Sequence, residues 1–431
     1  MPANLARILA DRGITTPTPI QRVTLPDSLA GRDVLGRGKT GSGKTVAFAL
    51  PIVAGLKASG RPRQPKRPRA LVLVPTRELA TQVAEVLTPL AHALSLRTTV
   101  IFGGVGQNPQ VRALAQGVDI VIACPGRLED LLGQRQLTLD AIEITVLDEA
   151  DHMADLGFLP VVKRLLDATP KRGQRLLFSA TLDAGVDVLV KRYLHEPVTH
   201  SVDPPAAPVD GMEHHVLTVA PGQKAAVVRE LAQGQGRSLL FTRTKHHAKK
   251  LAKALTEAGI PALDLQGNLA QKARERNLAA FADGSVRVLV ATDIAARGIH
   301  VDEIDLVVHV DPPGEHKAYL HRSGRTARAG ASGIVVTMVT PAEGDDVRTL
   351  MRHAGIKPTI TQVVAGHPRL AQLAGPAAAF VTPAPPAPDR PSNGHHSGRG
   401  PAPGRSAGGG PRGSSAGSRS GGGGRRRSRQ G

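Results

Sequence analysis

A glycine-rich stretch at residues 38–45, Gly-Lys-Thr-Gly-Ser-Gly-Lys-Thr, limits most strongly what this chain can fold into. It matches G-x-x-x-x-G-K-[ST], and it lies between a short predicted strand at 33–36 and an amphipathic helical pattern at 44–56. Backbone N–H groups of such a turn cradle phosphates at a helix N-terminus. We therefore predict a phosphate-binding loop in which Lys44 reaches the outer phosphates and Thr45 ligates Mg²⁺. The remaining nucleotide-binding residues expected in this loop are Thr40, Gly41, Ser42 and Gly43.

An acidic cluster at 148–151 follows the apolar run 144–147. The carboxyl edge of a parallel sheet is where doubly wound folds bind ligands. At such an edge Asp148 would hold Mg²⁺ and Glu149 would orient a water molecule. A helix cap or a solvated turn is the alternative interpretation, and these residues alone leave it open.

Apolar runs and helical patterns alternate through most of the chain, which is typical of βαβ units with a parallel sheet. The predicted strands lie at 33–36, 70–74, 98–102, 118–123, 144–147 and 175–178, and again at 215–219, 238–241, 262–265, 287–291, 306–310 and 333–339. The second series has no phosphate-binding loop of its own. The sequence thus predicts an α/β fold with two domains.

Two changes in composition divide the chain. Prolines among polar residues interrupt the alternation between 195 and 211, which indicates a linker. Residues 376–431 are rich in Gly, Pro, Ser and Arg, with nine Arg and one Asp for a net charge of +8. Such a segment cannot bury a core and is expected to be a disordered, basic tether. We predict domains at 1–200 and 212–366, a linker at 201–211 and a tail at 367–431.

The charge of the whole chain is +19, which favours a polyanionic partner, nucleic acid ahead of membrane. Trp is absent, and only two Tyr and seven Phe occur, too few for extensive base stacking. We expect phosphate and sugar contacts with weak sequence preference. The sequence contains no run of about 18 apolar residues, so we predict no membrane-spanning helix.

Cys124 is the single cysteine, so an intramolecular disulfide and a cysteine-rich zinc site are excluded. A reducing cytosol fits this. The histidine pairs at 214–215 and 246–247 lack a carboxylate or thiol to complete a metal site, and we expect surface histidines there.

Taken together, the motifs resemble those of the DEAD-box RNA helicases over about residues 10–355. They are, in chain order, Gln21, residues 38–45, Pro75-Thr76-Arg77-Glu78-Leu79-Ala80, Gly103-Gly104, Pro125-Gly126-Arg127, Asp148-Glu149-Ala150-Asp151, Ser179-Ala180-Thr181, Phe241-Thr242-Arg243-Thr244, Gln271 with Arg274, Ala291-Thr292-Asp293 with Ala296-Arg297-Gly298, and residues 321–328. The basic tail without a folded RNA-binding module looks most like the bacterial RhlE-type branch.

The resemblance implies two RecA-like domains with parallel sheets and ATP in the cleft between them. It assigns Mg²⁺ contact to Asp148, largely through water, and activation of the attacking water to Glu149. Arg325 and Arg328 would be arginine fingers from the second domain. Further implied roles are nucleotide contact by Gln21 and Asp293, and coupling of hydrolysis to strand separation by Asp151, Ser179 and Thr181.

The resemblance also implies RNA contacts from both domains. These residues are Arg77, Gly104, Gly126 and Arg127 in the first domain, and Thr242, Gly267, Gln271, Arg274 and Thr292 in the second. Contacts of this kind face phosphates and ignore base identity.

Three positions depart from the family pattern. Cys124 stands where Thr usually precedes Pro-Gly-Arg, Gln266 where His often precedes Gly, and His300 where Asp is common. The aromatic residue that the family carries well upstream of Gln21 is missing. We expect either a weaker grip on adenine or a true start further upstream.

The predicted function is that of a cytoplasmic, ATP- and Mg²⁺-dependent RNA helicase that separates short duplexes or remodels RNA–protein complexes. A DNA helicase of the same superfamily is a second hypothesis. A third is an RNA chaperone that clamps or anneals RNA through its basic tail, with ATP as a switch. Ribosome-assembly or RNA-decay proteins are candidate partners.

Overall fold

The computed structural model describes residues 3–38, 41–202, 211–296, 301, 303–327 and 332–382. Its strands are β1 Val34–Arg37, β2 Ala70–Leu73, β3 Thr98–Ile101, β4 Ile120–Ala123, β5 Ile144–Asp148, β6 Gln174–Ser179, β7 Val198–Ser201, β8 Met212–Val219, β9 Arg237–Phe241, β10 Ala262–Leu265, β11 Val288–Ala291, β12 Ile304–His309, β13 Gly333–Val339 and β14 Thr359–Val363. Its helices are α1 Ala3–Asp11, α2 Pro19–Leu29, α3 Lys44–Ser59, α4 Arg77–Ala93, α5 Asn108–Gln116, α6 Pro125–Gly133, α7 Ala150–Asp155, α8 Leu159–Asp167, α9 Ala184–Tyr193, α10 Lys224–Leu231, α11 Lys245–Glu257, α12 Gln271–Ala282, α13 Asp293–Ala296, α14 His316–Ser323, α15 Gly344–His353 and α16 Pro368–Ala374.

The strands form two seven-stranded sheets within one compact unit. The first has the order β3-β4-β2-β5-β6-β1-β7, and the second has the order β10-β11-β9-β12-β13-β8-β14. All strand pairs are parallel. Counted from its own first strand, each sheet follows the same path, so the two halves repeat one topology. The predicted two-domain α/β architecture is confirmed.

Central strands are buried on both faces, which explains their uninterrupted apolar sequences. Every residue of β2, β4 and β11 is buried. Helices cover both faces of each sheet, and each sheet therefore lies between two apolar clusters. Because all the strands of a sheet run in the same direction, the loops that follow their carboxyl ends lie at one edge of that sheet.

Two strands were missed in the sequence because they lie at sheet edges. β7 falls in the stretch whose prolines predict a linker, and its residues are only half-buried or exposed. β14 is exposed along most of its length. Neither shows the apolar run or strict alternation that burial imposes on a strand. Of the predicted linker, residues 203–210 lie outside the described residues.

The prediction that a disordered tail begins at 367 is wrong for residues 368–382. Leu370 and Leu373 on α16 are buried against α10 in the second domain. Beyond the helix, the N–H of Ala378 donates to the carbonyl of Gln233 over 2.8 Å. Two buried leucines three positions apart on one helix face, together with this backbone pairing, anchor a segment whose composition otherwise resembles the tail. The rest of the predicted tail, from 383, lies outside the described residues.

Among the described residues, no helix combines the length and apolar character needed to span a membrane.

Candidate active site

The glycine-rich loop joins β1 to the N-terminus of α3, as predicted. Gly41 and Gly43 have φ values of 87° and 92°, in the left-handed region that favours glycine. A Cβ on Gly43 would lie 2.6 Å from Gln21 Nε2, so a side chain there has no room. Ser42 Oγ is buried and has no hydrogen-bond partner among the described residues. A tight turn with an unsatisfied buried hydroxyl fits a phosphate ligand. Thr40 lies outside the described residues.

Lys44 is buried at the start of α3, with 5% of its surface exposed. Its Nζ donates to the Gly38 carbonyl over 3.0 Å and to Glu149 Oε1 over 2.9 Å. Burial alone would lower the lysine pKa, but the negative charges of Glu149 and Asp148 outweigh burial and raise it. Lys44 is therefore a fixed cation at the carboxyl edge of the first sheet.

Glu149 lies between β5 and α7 in a left-handed conformation, with φ 52° and ψ 52°. For a residue other than glycine this conformation costs about 1–2 kcal/mol. It directs the carboxylate to Lys44 rather than along the helix. Burial would raise the pKa of Glu149, but the charges of Lys44 and His152 and the positive field of Arg325 lower it well below its usual range. Glu149 is consequently an anion at neutral pH.

Asp148, at the end of β5, is 2% exposed, and its Oδ1 accepts a hydrogen bond from the Glu149 N–H over 3.0 Å. Burial and the neighbouring charge of Glu149 raise its pKa, although Lys44 opposes the shift. A buried carboxylate whose negative charge has so few stabilising partners is suited to binding a divalent cation. The described residues hold no cluster of three or more His, Cys, Asp or Glu suited to a metal. Asp148 and Thr45 would thus need substrate and water oxygens to complete a Mg²⁺ site.

The Gln21 side chain bridges α2 and the glycine-rich loop. Its Oε1 accepts from the Thr18 N–H over 3.1 Å, and its Nε2 donates to the Gly43 carbonyl over 2.9 Å. Gln21 is 3% exposed. Each amide atom keeps one further hydrogen-bonding position, so adenine contact stays a prediction.

The three residues predicted to couple hydrolysis to strand separation are in contact. Thr181 donates from its backbone N–H and from Oγ1 to Asp151 Oδ2, over 2.9 and 2.8 Å. Ser179 Oγ accepts from the Asp151 N–H over 3.3 Å and donates to the Thr181 carbonyl over 2.7 Å. The loop after β6 is thereby tied to the start of α7.

Arg325 of the second domain is 7% exposed, and its Nε donates to the His321 carbonyl over 3.2 Å. Its positive charge contributes to the lowered pKa of Glu149 in the first domain. The rings of His321 and His152 lie 6.0 Å apart across the same cleft. Arg328, the other predicted finger, lies outside the described residues.

Arg322 belongs to the motif at residues 321–328, but the sequence assigned it no role. It is 4% exposed, and its Nε and Nη2 bind the two carboxylate oxygens of Asp293 over 2.5 and 2.7 Å. Its Nη1 donates to the Asp311 carbonyl over 2.8 Å, and its guanidinium lies 5.2 Å from the centre of the Phe241 ring. Asp293, predicted to contact nucleotide, is held by this pair in the structure. Arg322 lies three residues before Arg325, which was the available signal.

Three residues in the predicted RNA set, Arg77, Gln271 and Arg274, contact the opposite domain in the structure. Arg77 Nη1 donates to Gln271 Oε1 over 2.9 Å. Arg274 Nε donates to Glu78 Oε1 over 2.5 Å, with the side chains 11% and 10% exposed. Both pairs join α4 of the first domain to α12 of the second.

A third interdomain pair, Asp183 with Lys317, was also missed in the sequence. Lys317 Nζ lies 2.7 Å from Asp183 Oδ2. Burial would raise the pKa of Asp183, but the hydrogen bond from Lys317 lowers it. Neither residue belongs to a motif, so no sequence signal identified this contact.

The remaining RNA candidates vary in accessibility. A Cβ on Gly104 would lie 2.1 Å from Arg77 Nη1, so this glycine lies directly under that guanidinium. Gly126 and Gly267 have open space at the Cβ position. Arg127 lies 3.9 Å from Asp130, and Thr242 is fully buried, which leaves its side chain no surface for RNA. Thr292 donates its N–H to the Leu265 carbonyl over 3.2 Å.

Cys124 is the N-cap of α6 and makes no side-chain hydrogen bond to the helix. Burial and the charge of Glu78 raise the pKa of its thiol to about 12. Gln266 is 8% exposed, and its Oε1 accepts from the Asn268 N–H over 2.7 Å. His300 lies outside the described residues.

The prediction of surface histidines is wrong for His215, which is 3% exposed and lies 3.2 Å from Glu213. His214 Nδ1 lies 2.6 Å from the Tyr319 hydroxyl, and His247 Nδ1 lies 3.0 Å from Asp311 Oδ2. His246 is exposed.

Comparison with known proteins identifies the two halves separately. The DEAD/DEAH box helicase family matches residues 18–189, and the helicase conserved C-terminal domain matches residues 223–330. The S. cerevisiae Dbp5 structure bound to RNA and ADP BeF3 is 27% identical, with a TM-score of 0.74 over 84% of this chain and 94% of that chain.

Two relatives show the range of the similarity. DEAD-box ATP-dependent RNA helicase 3A, chloroplastic, of Zea mays is 39% identical over 83% of this chain, which spans about half (49%) of that relative. ATP-dependent RNA helicase RhlB of Pseudomonas syringae pv. tomato is 37% identical over 77% of this chain and 86% of its own length. Because the match covers most of this bacterial relative and both domain types, the chain belongs to the DEAD-box RNA helicase family.

Proposed function

We propose that the chain is an RNA-stimulated ATP hydrolase that separates short RNA duplexes or remodels RNA–protein complexes without sequence specificity. The observation that carries the proposal is the buried, hydrogen-bonded pair of Lys44 and Glu149 beside the glycine-rich loop. Arg325 of the second domain supports the proposal, because its charge contributes to the lowered pKa of Glu149. A cation, a carboxylate anion and a second-domain arginine meet at one cleft. This set of charges suits phosphoryl transfer to water.

Within this proposal, ATP is the substrate, and its phosphates lie on the glycine-rich loop. Lys44 stabilises charge on the outer phosphates, and Glu149 orients the attacking water and accepts its proton. Arg325 stabilises the charge that develops on the transferred group, a contribution of about 10³–10⁵ in rate for arginine fingers in related hydrolases. Thr45 and Asp148 would hold Mg²⁺, which would supply neutralisation of the phosphate charge.

The contacts between the two domains support the proposed dependence of ATP hydrolysis on RNA. The pairs Arg77–Gln271, Glu78–Arg274 and Asp183–Lys317 form when the domains approach. RNA that touches both domains favours this arrangement and so brings Arg325 to the first domain's site. The likeness to Dbp5 solved with RNA and a nucleotide analogue supports this arrangement for the present chain.

Coupling to strand separation is assigned to Asp151, Ser179 and Thr181. Their hydrogen bonds connect the helix that begins beside Glu149 to the loop after β6. A shift of either segment is therefore transmitted to the other. The RhlE-type branch, a cytoplasmic location and a place in ribosome assembly or RNA decay are parts of the proposal that rest on the family resemblance.

A strand-separation assay tests this function. The full chain with ATP should displace a short strand from an RNA duplex, and a matched DNA duplex should be a poor substrate, because contacts to 2′-hydroxyls distinguish the two. Equal activity on both duplexes would favour the DNA-helicase hypothesis. RNA annealing without any strand separation would favour the chaperone hypothesis.

A further inference from the structure

The second domain carries an apolar groove outside the candidate active site. Helix α15 and strands β8, β13 and β14 line this groove, which has a volume of about 450 Å³. Buried apolar side chains form its floor, namely Val216, Val339, Val347, Met351 and Ile356. Ile360 of β14 lines its open side and is 58% exposed. An exposed isoleucine beside an apolar floor is typical of a surface that a partner covers.

The rim of the groove is positively charged. Arg348, Arg352 and Lys357 line it and are exposed, and none of the lining residues is Asp or Glu. Asp345 pairs with Arg348 but does not line the groove. The occupant that complements this surface therefore combines apolar side chains with carboxylates.

The strand beside the groove also has a free edge. Among the described residues β14 pairs with β8 alone, so its other side offers unpaired backbone groups. An extended segment can add to such an edge while alternate side chains enter the groove. This edge is opposite to the half of the sheet whose strand ends carry the RNA candidates Gly267 and Thr292. Occupancy of the groove and RNA binding are thus separable.

The chain's own remaining segment does not fit the groove. Residues 383–431 contain nine Arg and no Val, Leu, Ile, Met, Phe or Tyr, so they lack large apolar side chains and share the positive sign of the rim. A second copy is disfavoured because the chain carries a net charge of +19. We propose that the groove binds an acidic, amphipathic, extended segment of a partner protein.

The test uses the full chain and two fluorescein-labelled synthetic peptides. Both alternate Leu or Phe with a charged residue, which is Glu in one peptide and Lys in the other. In fluorescence anisotropy the Glu peptide should bind saturably, and the Lys peptide should bind at least about tenfold more weakly. Excess single-stranded RNA should not displace the Glu peptide. Equal binding of both peptides, or displacement by RNA, would overturn the proposal.

A pair of matched variants tests whether the Glu peptide binds in the groove. Ile360→Glu should weaken the Glu peptide at least about tenfold. The control Val364→Glu should not, since Val364 is similarly exposed, at 55%, but lies outside the groove. Both positions are exposed, so neither change should affect folding. Unchanged binding by Ile360→Glu would contradict the assignment. Self-association of the chain that Ile360→Glu abolishes would assign the groove to a second copy instead.

Discussion

Lys44 Nζ donates a 2.9 Å hydrogen bond to Glu149 Oε1, although 105 residues separate the two in sequence. Each residue stabilises the charge of the other in a buried site, because the pair raises the pKa of Lys44 and lowers that of Glu149. Contacts within the first domain therefore hold Glu149 as the anion that activation of a water molecule requires. In our proposal the second domain then supplies Arg325.

The Glu78–Arg274 pair is expected to stabilise the contact between the two domains. Glu78→Gln removes the ion pair without removing a residue proposed to contact RNA. We expect the RNA concentration for half-maximal ATP hydrolysis to rise about tenfold, equivalent to about 1.4 kcal/mol. The control is Asp140→Asn, which removes the exposed pair with Arg67 within the first domain. Tighter RNA binding by Glu78→Gln would instead mean that the released Arg274 binds phosphate.

The pairing of Arg322 with Asp293 predicts a stability effect. Asp293→Asn leaves a buried guanidinium without its counter-charge, and we expect the free energy of unfolding to fall by about 2 kcal/mol. Asp345→Asn is the matched control, because the Asp345–Arg348 pair is exposed and is expected to contribute less than about 1 kcal/mol. Urea denaturation measures both. Equal effects of the two substitutions would show that the Arg322 pair has no special structural role.

The contacts of Asp151 predict a separation of two activities. Replacing both Ser179 and Thr181 by Ala removes their hydroxyl contacts to Asp151 while leaving Lys44 and Glu149 in place. RNA-stimulated ATP hydrolysis should stay within about threefold, and strand separation should fall more than about tenfold. Thr88→Ala, which removes the hydroxyl pair with Thr98 elsewhere in this domain, serves as control. Parallel loss of both activities would contradict the coupling role.

A buried histidine predicts the pH dependence of stability. Burial and the charge of Arg322 hold the pKa of His309 well below its usual 6.5. Between these values the unfolded chain binds a proton that the folded chain does not, so stability falls as the pH drops through 6.5. The slope from this group is at most about 1.4 kcal/mol per pH unit.

His309→Gln should remove that part of the slope while keeping a partner for Thr337 Oγ1, which lies 3.0 Å from His309 Nδ1. His246→Gln, at an exposed position, is the control. The measurement is the free energy of unfolding in urea between pH 7 and 5. An unchanged slope in His309→Gln would show that this histidine is not responsible.

Buried central strands could be predicted from sequence because burial on both faces of a sheet demands apolar runs. The glycine-rich loop could be predicted because its residues match a phosphate-binding motif. The edge strands β7 and β14 could not, since one side of each lies open and tolerates polar residues. Likewise α16 was hidden in a stretch of Gly, Pro and Ala, where Leu370 and Leu373 alone signal packing.

For the candidate site, the motifs identified the residues, but their partners depended on the fold. Arg77 and Gln271 were both predicted to contact RNA, yet a separation of 194 positions in sequence concealed that they contact each other. The pairs Lys317–Asp183 and Arg322–Asp293 could not be predicted, because the partners of each pair are distant in sequence. Pairings across two domains are set by topology, and local patterns do not report them.

The most direct test of the account measures ATP hydrolysis with and without single-stranded RNA, on the unaltered chain and on Glu149→Gln. We predict strong stimulation by RNA and a loss of at least about 100-fold in the variant, since the amide cannot accept the water's proton. RNA binding in the presence of ATP should persist in the variant. Hydrolysis that is already maximal without RNA, or that survives Glu149→Gln, would contradict the account.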